Sequence, residues 1–173
     1  MERQQLATRI RETAYLEGDF TLRSGRKSKY YLDKYLFETQ PDILEALAVL
    51  FAEHVQRSTT LIAGAELGGV ALAAATSMAV KRPFVIIRNA KKDYGTGKSY
   101  EGLLTDADSV LLVEDIATTG GQVLEAARVI DDAGCVVEKI VSVIDRQEGA
   151  RQNIESAGYV FDSLFTTSDL KIK

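Results

Sequence analysis

Apolar positions recur along this chain at two different periods, and the switches between them mark out its elements. Residues 2–17 place Leu6, Ile10 and Tyr15 on one helical face, which predicts a first helix. The stretch GDFTLRSGRKSKYYLDKYLF then alternates apolar and polar residues about a turn at Ser24-Gly25, as a β-ribbon does. From Pro41, PDILEALAVLFAEHV returns to helical spacing with proline at the helix start. TLIAGA predicts a short buried strand, followed by Gly68-Gly69 and a helix of small residues through Val80. PFVIIR predicts the next strand, and a polar, glycine-bearing loop runs on to Gly102. SVLLVED is a strand, Gln122–Ala133 a helix, KIVSVIDR a strand, GARQNIESAG a helix ending at glycine, and YVFDSLF a last strand.

Strands alternating with helices of this length predict an α/β fold with a doubly wound, mainly parallel sheet and helices on both faces. Uninterrupted apolar runs such as VLLV and IVSVI fit a sheet covered on both sides. Ligands of such sheets sit outside the carboxyl ends of the strands, where the winding reverses. That rule gathers Gly64–Gly69, Arg88, Glu114, Asp115 and Arg146 on one rim.

Composition narrows the class without naming a chemistry. A chain of 173 residues, 46% hydrophobic and 27% charged, is long enough for one domain with a substantial core. A net charge of −4 and a pI near 5.1 give no general electrostatic case for nucleic acid. Cys135 is the only cysteine, so an intrachain disulfide is excluded, and a reducing cytoplasm suits it. The run GGVALAAATSMAV is too short to span a bilayer, and membrane association is not expected. The lone histidine, His54, falls mid-helix in FAEHVQ and reads as a surface or boundary residue.

The chemistry concentrates in VLLVEDIATTGG, residues 110–121. A glycine turn between a strand and a helix aims backbone N–H groups at whatever lies above the helix N-terminus, and the helix dipole favours an anion there. Thr118 and Thr119 add hydroxyl donors, and Gly120 and Gly121 allow close approach. Neither the triphosphate-loop spacing with its lysine nor G-x-G-x-x-G is present, so a monophosphate fits best. Glu114 and Asp115 would repel a phosphate they faced. They make sense one sugar away, accepting from ribose hydroxyls or holding a magnesium shell. Phosphate beside diol describes a ribose 5-phosphate; the plainer alternative is a carboxylate pair that merely caps the turn. Elsewhere, residues 81–98 hold six Lys/Arg against one Asp, a local reversal of sign in an acidic chain. It is either a solvated basic loop or a partner for pyrophosphate. Gly95, Gly97 and Gly102 offer hinges for closure over a site.

VLLVEDIATTGG resembles the phosphoribosyl-pyrophosphate (PRPP) motif of the type I phosphoribosyltransferases. Three further stretches are similar to the orotate phosphoribosyltransferases among them: FTLRSGRKSKYYLDKYLF to their N-terminal hood, RNAKKDYGTGKSYEG to their mobile catalytic loop, and VSVIDRQEGARQNIESAGYVFDSLFT to their C-terminal strand–helix–strand. The resemblance covers nearly the whole chain in the right order. It implies a single domain over 1–173, with the hood within residues 1–40 and the mobile loop at 88–102. It also implies that Glu114 and Asp115 meet the ribose hydroxyls. Ile116, Ala117, Thr118, Thr119, Gly120, Gly121 and Gln122 would hold the 5-phosphate, and Arg23, Arg88, Lys91, Lys92 and Tyr94 would also contact PRPP. Lys92, Asp93 and Asp115 take the catalytic roles. Orotate, a planar anion, suits the paired donors of Arg146; Thr118 and the backbone around Tyr31 and Leu32 complete its implied contacts. A salt bridge to Asp145 or Glu148 is the structural alternative for Arg146. Two departures from the family pattern stand out: Asn89 replaces a lysine after Arg88, and Tyr94 stands where histidine is common. GAELGG occupies the place of the family's other pyrophosphate loop and implies a non-proline cis peptide between Glu66 and Leu67.

The resemblance therefore implies Mg²⁺-dependent condensation of orotate with PRPP, the ion carried mainly by PRPP and no dedicated metal site in the protein. It further implies a cytoplasmic homodimer whose loop reaches the neighbouring site. A phosphoribosyltransferase for a purine would share the PRPP motif but not the hood together with Arg146. A PRPP-sensing regulator that binds nucleic acid is disfavoured by the low pI.

Overall fold

The computed structural model describes residues 1–21, 25, 27–89 and 99–172. Arg23, Lys91, Lys92, Asp93 and Tyr94, for which PRPP contacts or catalytic roles are expected, and the Ser24 half of the ribbon turn lie outside those residues.

Helix α1 (Arg3–Ala14) opens the chain and buries Leu6, Ala7, Ile10 and Ala14. It stops short of the expected residue 17, because Tyr15 turns to extended backbone and begins β1 (Tyr15–Thr21). Strand β1 pairs antiparallel with β2 (Lys27–Leu32), Tyr15 opposite Leu32 and Phe20 opposite Ser28. This is the expected ribbon. Its base is closed on α1, where Asp33 N donates to Ala14 O at 2.9 Å. A short helix that the sequence pattern did not predict follows, α2 (Lys34–Glu38), with the Asp33 side chain accepting from Tyr35 N at its start. Then come α3 (Pro41–Ala52), β3 (Leu61–Ala65), α4 (Gly68–Val80), β4 (Phe84–Ile87), a two-residue β5 (Tyr100–Glu101) and β6 (Ser109–Ala117). The chain continues through α5 (Gly121–Asp132), β7 (Val136–Asp145), α6 (Ala150–Ser156) and β8 (Phe161–Thr166).

Among the described residues, six strands form one sheet in the order β5-β4-β3-β6-β7-β8, parallel except for β5. Period-two alternation on β6 explains the two layers of core. Leu111 and Val113 join Leu6, Ile10, Phe37, Ile43, Leu47, Phe51 and Leu72 from α1 to α4 on one face. Val110 and Leu112 join Val123, Ala127, Ile130 and Ile154 from α5 and α6 on the other. The order reverses between β3 and β6: β4 lies on one flank of β3, and the chain returns on the other. The crevice beyond the carboxyl ends of β3 and β6 is therefore the expected place for a ligand.

Glycine sets how closely α4 sits over that crevice. A Cβ on Gly64 would stand 2.1 Å from Gly69 O, so strand and helix touch backbone to backbone. The peptide between Glu66 and Leu67, in the turn that joins them, is cis. His54 is a boundary residue, its Nδ1 3.3 Å from Lys139 Nζ. Among the described residues, no helix is long and apolar enough to cross a membrane.

Candidate active site

A cavity of about 920 Å³ opens at the switch point. The carboxyl end of β6 and the first turn of α5 form its floor, from Glu114 through Val123. Tyr31, Leu32 and Lys34 close it from the ribbon side, and Arg146 and Glu148 from the end of β7. Tyr31, Leu32, Arg146 and the whole of Glu114–Gln122, picked out from sequence alone, thus share one cavity.

The turn after β6 is built for close approach. Gly120 has φ 81°, the left-handed region that disfavours a side chain, and a Cβ there would stand 2.9 Å from Ile154 Cγ1. Neighbouring elements buttress it: Asn153 Nδ2 donates to Thr119 O at 2.8 Å, and Arg146 N donates to Ala117 O at 2.9 Å. With no side-chain cap at Gly120, the N-terminus of this 12-residue helix meets the cavity with the positive end of its dipole.

The acidic pair just before the turn is almost wholly buried, Glu114 at 4% and Asp115 at 2% exposure. Burial, then the charge of Asp115, pushes the Glu114 carboxyl well above the usual carboxylate range. Its Oε2 has no hydrogen-bond partner. Asp115 Oδ2 meets Lys34 Nζ at 2.6 Å. Burial alone would lower the lysine's pKa, but the charge of Asp115 and the hydrogen bond to it outweigh that and raise it. Glu38, one turn further along α2, is 4% exposed with Oε1 unpartnered, and burial followed by the Asp115 charge pushes it up to about 8. Lys34 and Glu38 were not picked out from sequence. The available signal was the helix start D-K-Y-L-F-E, in which an Asx cap precedes a lysine and a glutamate four residues apart.

Arg146 serves both the cavity and a salt bridge. It lines the cavity, and its Nη2 makes a 3.0 Å salt bridge to Glu148 Oε1. Nη2 also donates to Tyr30 Oη at 3.3 Å, while Tyr30 stacks on Tyr15 with ring centroids 5.6 Å apart. The ribbon is thereby tied to the sheet rim, and Tyr31, on the next residue, remains 42% exposed at the cavity.

Arg88 does not line this cavity. It lies at the end of β4 beside a smaller pocket of about 120 Å³, shared with Asn89, Ser99 and Gln122. Arg88 Nη1 is 3.4 Å from Glu101 Oε1, and Arg88 N donates to Ser99 O at 2.9 Å. Asn89 is engaged within the protein: its N donates to Glu66 Oε1 at 2.7 Å and its Nδ2 to Glu66 O at 3.0 Å. Gln122 Nε2 donates to the same carbonyl at 3.1 Å. The β4 end, the β3–α4 turn and the first turn of α5 are thus stitched together at Glu66.

Residues 36–165 match the phosphoribosyl transferase domain family. A relative named orotate phosphoribosyltransferase from Halobacterium salinarum is 47% identical over 153 residues, covering 88% of this chain and 87% of that one. The chain belongs to the orotate phosphoribosyltransferase family. A second member, from Natronomonas pharaonis, is 41% identical over 171 residues and 98% of both chains. The fold of the family's Mycobacterium tuberculosis H37Rv member, solved in complex with PRPP, matches with a TM-score of 0.84 at 28% identity, covering 98% of this chain and 99% of that one. Family membership accounts for the type I phosphoribosyltransferase fold seen here, a mainly parallel sheet with a small N-terminal ribbon above its rim.

Proposed function

We propose that this protein transfers the 5-phosphoribosyl group of PRPP to orotate, giving orotidine 5′-monophosphate and pyrophosphate in pyrimidine synthesis. The observation that carries the reading is the meeting, in one cavity, of a buried carboxylate pair, a glycine turn on a helix N-terminus and the Arg146 guanidinium. Each suits one part of the product: diol, monophosphate and anionic base.

A ring nitrogen of orotate attacks C1 of the ribose and gives up its N–H proton, the bond from C1 to the pyrophosphate oxygen breaks, and the electron pair leaves with pyrophosphate, which takes up that proton. No covalent intermediate with the protein is needed. Residues Ala117–Gly121, with Ile116 and Gln122 beside them, would hold the 5-phosphate. Glu114 and Asp115 would accept from the ribose hydroxyls and orient C1. Arg146, Thr118 and the backbone at Tyr31 and Leu32 would hold orotate. Arg23, Arg88, Lys91, Lys92 and Tyr94 would contact PRPP, and Lys92 with Asp93 would act where charge builds on the leaving group.

The carboxylate oxygens of Glu114 and Asp115 are donors of the kind Mg²⁺ takes, and the unpartnered Glu114 Oε2 leaves one available, so the site fits an ion delivered with PRPP. When bound, the ion would offset the negative charge of the pyrophosphate group. We further propose a cytoplasmic homodimer in which the loop at 88–102 reaches the neighbouring site.

The test is the loss of orotate's near-ultraviolet absorbance on adding PRPP and Mg²⁺. Turnover in the wild type that collapses in Lys92→Ala supports the reaction and the loop together. Absence of turnover while PRPP still binds would overturn the choice of orotate and direct the assay to purine bases.

A further inference from the structure

Helix α2 carries two charged side chains to the acidic end of the cavity. Lys34 Nζ sits 2.6 Å from Asp115 Oδ2, so in the free protein it holds an oxygen on which the ribose hydroxyls or their divalent ion are to sit. Glu38 lies four residues on, on the same helical face. It is buried, yet its Oε1 has no partner. A buried carboxylate oxygen left unpaired is costly and calls for an explanation. A partner that arrives only in another state of the site supplies one, and the flexible ammonium of Lys34 is within one helical turn.

We propose that Lys34 is a movable counter-ion, seated on Asp115 in the free protein and turned onto Glu38 when PRPP and its divalent cation take Asp115. This rests on the phosphoribosyl-transfer reading of the site and adds to it a positioning role for two residues of α2.

The electrostatics run the same way. Asp115 and Glu114 from β6, Lys34 from α2 and Asp33 at its N-cap are the charges that act with Glu38. Helices α1, α3 and α4, which pack on α2, bury apolar residues apart from Thr76, whose hydroxyl is spent on Leu72 O. Burial and the Asp115 charge, which together push Glu38 up to about 8, keep it protonated at neutral pH. Once a cation neutralises Asp115 and Lys34 swings across, the Glu38 O–H bond breaks. The proton goes to solvent, and the electron pair stays on the carboxylate as partner of the ammonium. Substrate binding and proton release are thereby coupled.

Calorimetric titration of the whole protein with PRPP and Mg²⁺, in buffers of different ionisation enthalpy, counts the protons released. Near neutral pH the wild type is expected to release about one proton more than Glu38→Gln, and Lys34→Met is expected to lose the same increment. The wild type alone provides a second reading: its release falls when the titration is repeated at about pH 9.5, where Glu38 is already ionised. Equal counts in wild type and Glu38→Gln proteins that both bind PRPP would overturn the counter-ion while leaving the transferase reading intact. So would a wild-type count unchanged between the two pH values. Failure of the wild type to bind PRPP with Mg²⁺ would overturn both.

Discussion

Gly68 lies directly against Asp115: a Cβ on the glycine would stand 1.5 Å from the aspartate's Oδ2. The N-terminus of α4 and the carboxyl end of β6 are therefore fitted to each other at the atom that also receives Lys34. Gly68→Ala must displace the carboxylate. A misplacement of that size in a positioned group costs about 100-fold in kcat/KM. Steady-state kinetics should show that loss, with a circular dichroism spectrum like that of the wild type.

The turn after β6 makes a paired prediction. Gly120→Ala combines a left-handed backbone with contact against Ile154, for a destabilisation of about 1–3 kcal/mol. Gly121→Ala meets little, its nearest neighbour being Thr119 Oγ1 at 3.9 Å, and should change stability far less. Denaturant melts of the two proteins decide the matter. Equal losses would show that backbone conformation at Gly120 is not what holds the turn.

Arg146 is shared between Glu148 and the cavity. Arg146→Ala is expected to raise the KM for orotate by about 30-fold or more, the effect of about 2 kcal/mol or more from truncating a charged hydrogen-bonding group, while affinity for PRPP holds. Arg146→Lys should recover little of it, since an ammonium cannot offer the paired donors of a guanidinium. A variant whose PRPP affinity fell as far as its orotate affinity would count against this division of labour.

Glu38 predicts a dependence of stability on pH. Its folded-state pKa of about 8 lies above the ordinary 4.5, so the folded protein binds the extra proton between those values. The stabilisation tied to the protonated form is fully present below about pH 4.5 and is lost as pH rises through about 8, a change on the order of a few kcal/mol. Glu38→Gln removes this slope. Urea melts from mildly acidic to mildly alkaline pH should show wild-type stability falling relative to the variant.

Asn89 is committed to Glu66 through two hydrogen bonds. Asn89→Ala keeps the backbone one and loses the side-chain one, together with the long 3.5 Å bond that Asn89 Oδ1 accepts from Gln122 Nε2, at about 1 kcal/mol. Turnover is expected to drop about fivefold, the rate equivalent of that energy if the tie positions the rim. A variant with unchanged kcat would assign the contact to stability alone.

Much of this architecture was legible because the physics is local. VLLV running into Glu114 and Asp115 is a strand covered on both faces, and Thr118–Gly121 is a turn that no apolar core would select. Together they mark out β6, the turn and α5 from local sequence alone. The ribbon followed from alternation, although α1 ended three residues early because helical and extended periods overlap around Tyr15. Helix α2 escaped because five residues are too few to display a helical period. Strand β5 escaped because two residues show none, and pairing with β4 alone makes them a strand.

The sequence by itself determined the alternation of elements, the parallel sheet and the rim on which a ligand would sit, since each follows from spacing along the chain. Tertiary structure alone decided what meets at that rim. Lys34 and Asp115 are far apart in sequence, as are Gly68 and Asp115, and Asn89 and Gln122. Their contacts depend on which strands neighbour one another and how closely α4 approaches β3. No periodicity encodes those distances. They result from the packing of two layers of helices on one sheet, and that packing buries Glu38 and Glu114 and seats Lys34 on Asp115.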